Sequence, residues 1–376
     1  MRIVIGADFV PTEENYDCFK RGDTEALVGS ELLSIFRSAD YRVFNLEIPL
    51  TDKETPMPKA GPPLIAPTYC INGYKALGID LLGVANNHML DQGYEGMKST
   101  LETLDGAGIS YVGGGYSQQE AARPFYFEKD GKRVGIYACC EHEFSWARDY
   151  GFGANGFDPL ETPDEIAAAK AECDYLIVLY HGGKEHYRYP SPTLRRVCRK
   201  IVEKGADLVL CQHTHCIGAE EEYRGGRILY GQGNFVFIKH WGEGDPFPGW
   251  WTGLLTVLDI TAEGVKIDYV PYETTETGVT LSHNPEIMEG FRQRTEEIKD
   301  ERATEKQYAE FAAKLLPARY VAHMTGLPAD AEFIARRGKS IFHYLECEAH
   351  YEALHVGLKH ILGYPQFEGT LGKLEE

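Results

Sequence analysis

Five apolar runs that end in metal-binding residue types are the feature that most constrains how this chain can fold. Short runs rich in Val, Ile and Leu are typical of buried strands. The runs and the residues that follow them are 2–7 with Asp8, 41–46 with Glu47, 80–85 with Asn86, Asn87 and His88, 175–180 with His181, and 207–212 with His213 and His215. Because ligands of an α/β sheet gather outside the carboxyl ends of its strands, these side chains predict one shared site.

The residue types in this set suit a divalent transition metal. Imidazole, amide and carboxylate ligands together favour Mn, Zn or Fe over Ca or Mg. Cys211 and Cys216 flank the histidine pair, but the oxygen-rich partners disfavour them as ligands. Other residues have structural alternatives: Asn86 is expected to form a turn, and Asp91 is expected to fix the start of the next helix. A structural, hydrogen-bonded role remains an alternative for His88.

The order of helix-like and strand-like stretches predicts a layered α/β domain. Amphipathic spacing predicts helices over 25–37, 71–77, 92–107, 163–173 and 191–204, and a hairpin over 125–137 turns at Asp130-Gly131. Residues 51–67 carry five prolines and predict a long loop over the mouth of the site. Beyond residue 227 the pattern becomes β, with strands expected over 227–230, 252–260 and 265–270.

A change in pattern near residue 275 divides the chain into two predicted domains. Residues 1–275 form the α/β domain, and residues 276–376 form a helical C-terminal appendage with helical spacing over 284–315 and 329–362. Such an appendage is expected to serve packing, and its helices are the candidate contact for a homodimer.

Charge and cysteine usage limit the classes of function. The net charge is −19 and the isoelectric point is near 5.2, which argues against a nucleic-acid or anionic membrane surface. The sequence opens directly on a strand-like run, and we find no apolar stretch as long as a membrane span. Nine scattered cysteines without a C-x-x-C pair are typical of reduced thiols. We therefore expect a cytoplasmic protein.

The strand-end motifs resemble those of the CapA (PgsA) capsule-synthesis family, a branch of the calcineurin-like metallophosphoesterases. The resemblance covers residues 1 to about 275, and the motifs occur in the same order. They are Gly6-Ala7-Asp8, Asn45-Leu46-Glu47, Asn86-Asn87-His88 with Asp91 and Gly93, His181-Gly182-Gly183 with Glu185, Gln212-His213-Thr214-His215, and Tyr230-Gly231-Gln232-Gly233-Asn234. The resemblance implies a metallophosphatase-like β-sandwich flanked by helices, with four layers in the order αββα.

The resemblance also implies a ligand set for one or two metal ions. Asp8 and His215 would hold one ion, Asn87, His181 and His213 would hold the other, and Glu47 would bridge them. His88 corresponds to the histidine that acts as general acid or stabilises the transition state. Val10 stands where the superfamily has a further histidine ligand, so the first metal position is expected to be the weaker one.

Residues for substrate contact are predicted from charge and aromatic content near the motifs. Lys184, Glu185 and Arg188 follow His181. Three interpretations of Glu185 remain open: it is an acid or base, it is a partner of a metal-bound water, or it forms a salt bridge to a basic neighbour. Asn234 is expected either to contribute an amide to the pocket or to form a turn. The loops 141–148 and 240–251, which includes Trp250, are unusually aromatic and predict recognition surfaces.

Three functions fit these features. The leading hypothesis is a metal-dependent hydrolase that activates water against a phosphoester or a γ-glutamyl or peptide-type bond of a capsule or envelope polymer. The substrate would be a small molecule, a peptide-like compound or a polymer fragment. One alternative is a peptide epimerase that uses the same metal site. The other is a non-catalytic binding module.

Overall fold

The computed structural model describes residues 1–57, 59, 61–239, 247, 249–315 and 332–334. The strands are β1 (Arg2–Val10), β2 (Tyr41–Asn45), β3 (Leu81–Gly83), β4 (Ser110–Val112), β5 (Gly114–Gly115), β6 (Phe125–Lys129), β7 (Lys132–Cys140), β8 (Gly153–Ala154), β9 (Tyr175–His181), β10 (Leu208–Gln212), β11 (Glu220–Tyr223), β12 (Gly226–Leu229), β13 (Asn234–Phe237), β14 (Thr252–Ile260), β15 (Val265–Thr274) and β16 (Val279–Leu281). The helices are α1 (Tyr16–Arg21), α2 (Thr24–Val28), α3 (Ser30–Ser38), α4 (Ile71–Ala76), α5 (Gly93–Ala107), α6 (Gln118–Ala121), α7 (Ala147–Tyr150), α8 (Thr162–Ala171), α9 (Pro192–Glu203), α10 (Pro285–Glu297) and α11 (Glu301–Leu315).

Two large sheets carry the strands whose ends were predicted to form the site. The eight-stranded sheet has the order β16-β15-β14-β1-β2-β3-β4, and β13 pairs with β1 beside that path. The six-stranded sheet has the order β11-β12-β10-β9-β7-β6. Strands β1, β2, β3 and β4 are parallel, as are β7, β9, β10 and β12. Parallel pairing places the carboxyl ends of these strands at one edge of each sheet.

The sheets pack face to face, and helices cover their outer faces. Between the sheets, the ring of Tyr41 stacks on Phe127 with 3.8 Å between centroids, and Gln212 Nε2 donates to the carbonyl of Gly6. On the outer side of the first sheet, Phe36 of α3 stacks on Phe44 of β2. Helices α8 and α9 share one buried apolar cluster with β7, β9 and β10. The predicted four-layer αββα sandwich is therefore confirmed.

Local structure follows the predicted pattern with specific exceptions. The hairpin of β6 and β7 turns at Asp130 and Gly131, both with positive φ, as predicted. The single helix predicted over 25–37 is wrong, because Gly29 (φ 59°, ψ 151°) separates α2 from α3. A φ in that region favours glycine. Strand β13 was not predicted at all.

The chain divides into two compact units, Met1–Lys299 and Asp300–Glu376. The domain boundary near residue 275 stays a prediction, although β16 and α10 follow it and belong to the first unit. In the second unit, α11 agrees with the helical spacing predicted up to residue 315. Most of the helix predicted over 329–362, and with it the homodimer contact, lies outside the described residues.

Two findings bear on the predictions from composition. Among the described residues, no helix has both the length and the apolar character that crossing a bilayer would require. The described cysteines are all free thiols, in agreement with the reduced state predicted for them; Cys347 lies outside the described residues.

Candidate metal centre

The predicted ligands converge because the strands that carry them are neighbours in register. Asp8 on β1 pairs with Asn45 at the end of β2 and with Asn234 at the start of β13. In the second sheet, Gln212 pairs with His181, so β10 and β9 end together. His213 and His215 follow β10 with φ of 83° and 54°. Residues other than glycine rarely adopt such backbone angles, so the surrounding structure must hold this turn in place.

Three potential ligand atoms surround one nitrogen of His181. Its Nε2 lies 3.0 Å from Asn87 Oδ1, 3.1 Å from His213 Nδ1 and 3.2 Å from Glu47 Oε1. A nitrogen of imidazole carries at most one proton, so it cannot donate to all three. Ligands held by bonds of about 2.1 Å at right angles to each other are about 3 Å apart, which matches this spacing.

Glu47 supplies the second observation that fits a cation. Its side chain is fully buried, and neither carboxylate oxygen has a hydrogen-bond partner. The distance of 3.2 Å to His181 is that of an ion pair but lacks hydrogen-bond geometry. A buried carboxylate without a partner is costly, and coordination of a metal ion removes that cost. The residues present therefore fit a divalent metal.

A second group of ligands shares Glu47 with the first. The ligand atoms of Asp8, Glu47 and His215 lie within 4.8 Å of one another, as do those of Glu47, His181 and His213. Asp8 Oδ2 lies 3.4 Å from His215 Nδ1, and Asn45 Nδ2 donates to Asp8 Oδ1 at 2.8 Å. This arrangement is the one the resemblance implied, with Glu47 between two groups. Metal binding by these residues remains a prediction.

The pKa values of these groups depend on burial and on the charges that the groups carry. Burial strongly raises the pKa of Glu47, and the nearby charge of Asp8 raises it further. Burial alone would lower the pKa of His215, but the charges of Glu47 and Asp8 raise it to about 9. Burial lowers the pKa of His181 to about 4 and that of His213 to about 3, so both imidazoles are neutral, as metal ligands must be.

His88 belongs to a buried polar group beside the cluster. Its Nδ1 lies 2.5 Å from Asp91 Oδ2, and Asp91 also accepts from Lys59 and from the backbone N–H of Leu64. Lys59 comes from the predicted proline-rich loop, in which residues 58 and 60 are not described. The predicted role of Asp91 at a helix start is wrong, because α5 has Gln92 at its N-cap and no side-chain cap. Asn86 forms the expected turn by accepting from the N–H of His88.

Glu141 and Glu143 lie in the loop 141–148, which was predicted as a recognition surface and not as part of the metal cluster. Glu143 accepts from Asn87 Nδ2 at 2.8 Å, which orients the amide oxygen of Asn87 toward His181. Glu141 accepts from the N–H of Gly183, and both carboxylates lie within reach of His213. The sequence contained a signal, because the apolar run of β7 is followed directly by Glu141. In the structure, the last residue of that run, Cys140, pairs with His181.

Of the residues predicted to contact substrate, Glu185, Lys184 and Asn234 are near the predicted metal ligands or near one another. Glu185 is partly exposed; burial would raise its pKa, but the charges of His213, His215 and Lys184 lower it to about 2. Lys184 Nζ lies 3.8 Å from Glu185. Asn234 Oδ1 lies 2.8 Å from His215 Nδ1, so it orients the imidazole of a predicted ligand.

Two further predicted contacts lie outside the metal cluster. The expectation of a surface aromatic is wrong for Trp250, which is 3% exposed, packs on His215 and donates to the carbonyl of Phe237. Residues 240–246 and 248 of its predicted loop are outside the described residues. Arg188 lies beside Gly249 and lines a separate cavity.

Comparison with solved structures gives only distant similarity. A putative 5'-nucleotidase from Staphylococcus aureus in complex with alpha-ketoglutarate is 13% identical, with a TM-score of 0.45. The match covers 78% of this chain and 57% of that chain. A similarity at this level supports no conclusion about the present protein.

Comparison of sequences gives closer relatives. The PGA biosynthesis protein CapA of Bacillus subtilis (strain 168) is 30% identical over 215 residues, covering 55% of this chain and 56% of the relative. The capsule biosynthesis protein CapA of Bacillus anthracis is 30% identical, covering 54% and 52%. The match thus spans about half the length of these curated relatives. The sequence model of the bacterial capsule synthesis protein PGA_cap matches residues 3–239, and this chain belongs to that family.

Proposed function

We propose that this protein is a metal-dependent hydrolase that cleaves a phosphoester or a γ-glutamyl or peptide-type bond in capsule or envelope polymer metabolism. Membership of the PGA_cap family supports the link to such polymers. The names of the two Bacillus relatives, which refer to PGA and capsule biosynthesis, support it further. The match covers only about half of each relative, so the substrate class belongs to the proposal.

The observation that carries the proposal is the convergence of Asn87 Oδ1, His213 Nδ1 and Glu47 Oε1 on His181 Nε2. With Asp8 and His215 on the other side of Glu47, the residues provide for one or two ions of Mn, Zn or Fe. Such ions, when bound, acidify water and neutralise negative charge that develops on a substrate. The site formed by Glu47, Asn87, His181 and His213 has more ligands and would fill more completely.

The chain's own acid in this proposal is His88. Its Nδ1 is engaged by Asp91, so Nε2 is the nitrogen that can exchange a proton with a substrate. Burial lowers the pKa of His88, while the Asp91 carboxylate opposes that change. In hydrolysis, a water oxygen forms a bond to phosphorus or to the acyl carbon and releases one proton to solvent, and the bond to the leaving group breaks. His88 would supply the proton that the leaving group takes up.

Isotope incorporation tests the proposal against its rivals. The full-length protein, loaded with Mn or Zn, is incubated with phosphoesters, γ-glutamyl oligomers and short peptides in deuterated, oxygen-18-labelled water. A hydrolase places oxygen-18 in one product, and His88→Asn should slow that incorporation. Deuterium at an α-carbon without oxygen-18 in any product would replace this proposal with epimerisation. Neither label in any substrate would favour the binding module.

A further inference from the structure

A cavity that none of the predicted metal ligands lines has two arginines in its wall. Its volume is about 290 Å³, and its lining includes Arg188, Ile217, Thr252 and Arg294 together with the first turn of α10. Gly249, which also lines it, precedes Trp250, and the ring of Trp250 packs 4.8 Å from that of His215. One wall of the cavity is therefore continuous with the segment that packs behind a predicted metal ligand.

Arg294 carries a buried positive charge, and none of the described carboxylates forms an ion pair with it. The residue is 8% exposed, and its Nε donates to the carbonyl of Gly218 at 3.0 Å. Within the described part of the chain, neither terminal nitrogen has a hydrogen-bond partner, and no carboxylate lies within ion-pair distance. Burying an unpaired charge is strongly unfavourable, and proteins offset that cost by pairing it. By contrast, Arg42 and Arg199 are paired with Asp80 and Glu221.

Two neighbours add positive potential to the same cavity. Burial and the nearby charge of Arg188 both lower the pKa of Arg294, so the two guanidinium groups are close enough to repel each other. The cavity also receives the N-terminus of α10, a helix of 13 residues capped by the Asn284 side chain. The N-terminus of a helix of this length favours a negative charge.

The described acidic residues near the cavity form no ion pair with Arg294, although the charge of Glu297 is near enough to raise the pKa of Arg294 and so partly opposes burial. Glu286 lines the cavity but is exposed at the first turn of α10. Glu297 lies one turn beyond Arg294, and its carboxylate accepts from Tyr189 and from Gln293. The cavity thus combines a buried cation with the N-terminus of a helix, and both favour an anion.

We propose that this cavity binds an anionic oxygen group, a carboxylate or a phosphate, with Arg294 as its main contact and Arg188 and the N-terminus of α10 as supporting contacts. The planar fork of a guanidinium matches both groups through paired hydrogen bonds. Ile217 of the lining follows His215 by two residues, and Gly249 precedes Trp250, which packs on His215, so we expect a polymer held at the metal cluster to place a carboxylate of a neighbouring unit against Arg294. This last step rests on the proposed function; the anion site itself does not.

Binding of simple anions tests the site without any assay of activity. Calorimetric titration of the metal-loaded full chain with glutarate and with inorganic phosphate, at constant ionic strength, is compared among wild type and three variants. Arg294→Met should weaken binding at least about tenfold, the usual worth of one hydrogen bond to a charged group. Arg199→Met, which removes a paired arginine elsewhere, and His213→Ala, which removes a predicted metal ligand, should both retain binding to this cavity.

Stability separates a binding role from a structural one. Because Arg294 is unpaired, Arg294→Met should unfold at a Tm at or above that of the wild type in the absence of added anion. Glutarate or phosphate should raise the Tm of the wild type and not that of Arg294→Met. If Arg294→Met does not fold, Arg188→Met takes its place in the titration and should also weaken binding.

Comparing the affinities for glutarate and phosphate shows which anionic group the cavity binds. Tighter binding of glutarate indicates a carboxylate, and tighter binding of phosphate indicates a phosphate group. Equal affinity of wild type and Arg294→Met for both probes would overturn the anion site. Anion binding that depends on Arg294, in a protein that incorporates no label from water, would leave the anion site standing and reject the hydrolase.

Discussion

Glu47 Oε1 lies 3.2 Å from Nε2 of His181, yet neither oxygen of Glu47 has a hydrogen-bond partner. The two residues come from different sheets, β2 leading to Glu47 and β9 ending at His181. A bound cation would stabilise this buried carboxylate beside a neutral imidazole, and metal binding here stays a prediction.

Glu47→Gln should abolish metal binding without unfolding the protein. The amide has the same shape but no charge, so both groups of ligands lose the carboxylate they share. Loss of a residue that only orients a ligand lowers metal affinity about 10–100-fold. Because Glu47 is predicted to bind the metal directly, we expect at least about a hundredfold weaker binding of Mn or Zn. When a chelator has removed the metal, the Tm of the variant should equal or exceed that of the wild type, because the buried carboxylate of Glu47 has been replaced by an uncharged amide.

The matched control for this change is Glu54→Gln, which alters an exposed glutamate on the loop that follows β2. It should leave both metal content and Tm unchanged. Retention of full metal content by Glu47→Gln would show that Glu47 is not a ligand.

His88→Asn should separate catalysis from metal binding. His88 contacts Asp91 and belongs to neither group of predicted ligands, so the variant should keep its metal content. Turnover of a hydrolysed substrate should fall about 10²–10⁴-fold, the usual contribution of a positioned acid or base. His213→Ala, measured in parallel, should lose metal and turnover together. Loss of metal from His88→Asn would instead identify His88 as a ligand.

Asp91→Asn should be strongly destabilising because it leaves the Lys59 ammonium buried without its partner. The Lys59 side chain is 2% exposed and that of Asp91 is fully buried. Breaking such a pair costs about 3–5 kcal/mol in free energy of unfolding. Urea unfolding measures this loss, and the double variant with Lys59→Met should recover a large part of it. A double variant no more stable than Asp91→Asn would argue against the pair.

Glu143→Ala should weaken metal binding through Asn87. Glu143 holds the amide of Asn87 so that the oxygen faces His181. Loss of a partner that orients a ligand typically lowers metal affinity about 10–100-fold. Metal titration against a competing chelator gives the affinity, with Glu54→Ala as the surface control. An unchanged affinity would mean that Asn87 is oriented by other contacts or is not a ligand.

The layered fold could be predicted because each buried strand is an apolar run with a polar end. The start and end of β14 agree with the residues predicted from its apolar pattern. The break between α2 and α3 was missed because residues on both sides of Gly29 keep helical spacing, and only the backbone angles of Gly29 reveal it. Strand β13 was missed because its pairing with β1 is a long-range contact that a short run of sequence does not encode.

The site was predictable where a ligand follows a strand end and harder to predict where loops supply the partner. Asp8, Glu47, His181 and His215 come together because their strands pair in register. The contact of Lys59 with Asp91 depends on how a loop folds back, which local sequence does not specify. Trp250 was misjudged because an aromatic residue in a loop can pack inward behind a ligand.

Elemental analysis of protein purified without chelator shows whether the buried residues around Glu47 bind a metal ion. The buried ligands around Glu47 predict about one to two equivalents of Mn, Zn or Fe per chain, lost in Glu47→Gln and in His213→Ala. Reloading after removal with chelator should restore the same content in the wild type. Less than about a tenth of an equivalent of any transition metal, before and after reloading, would contradict the account.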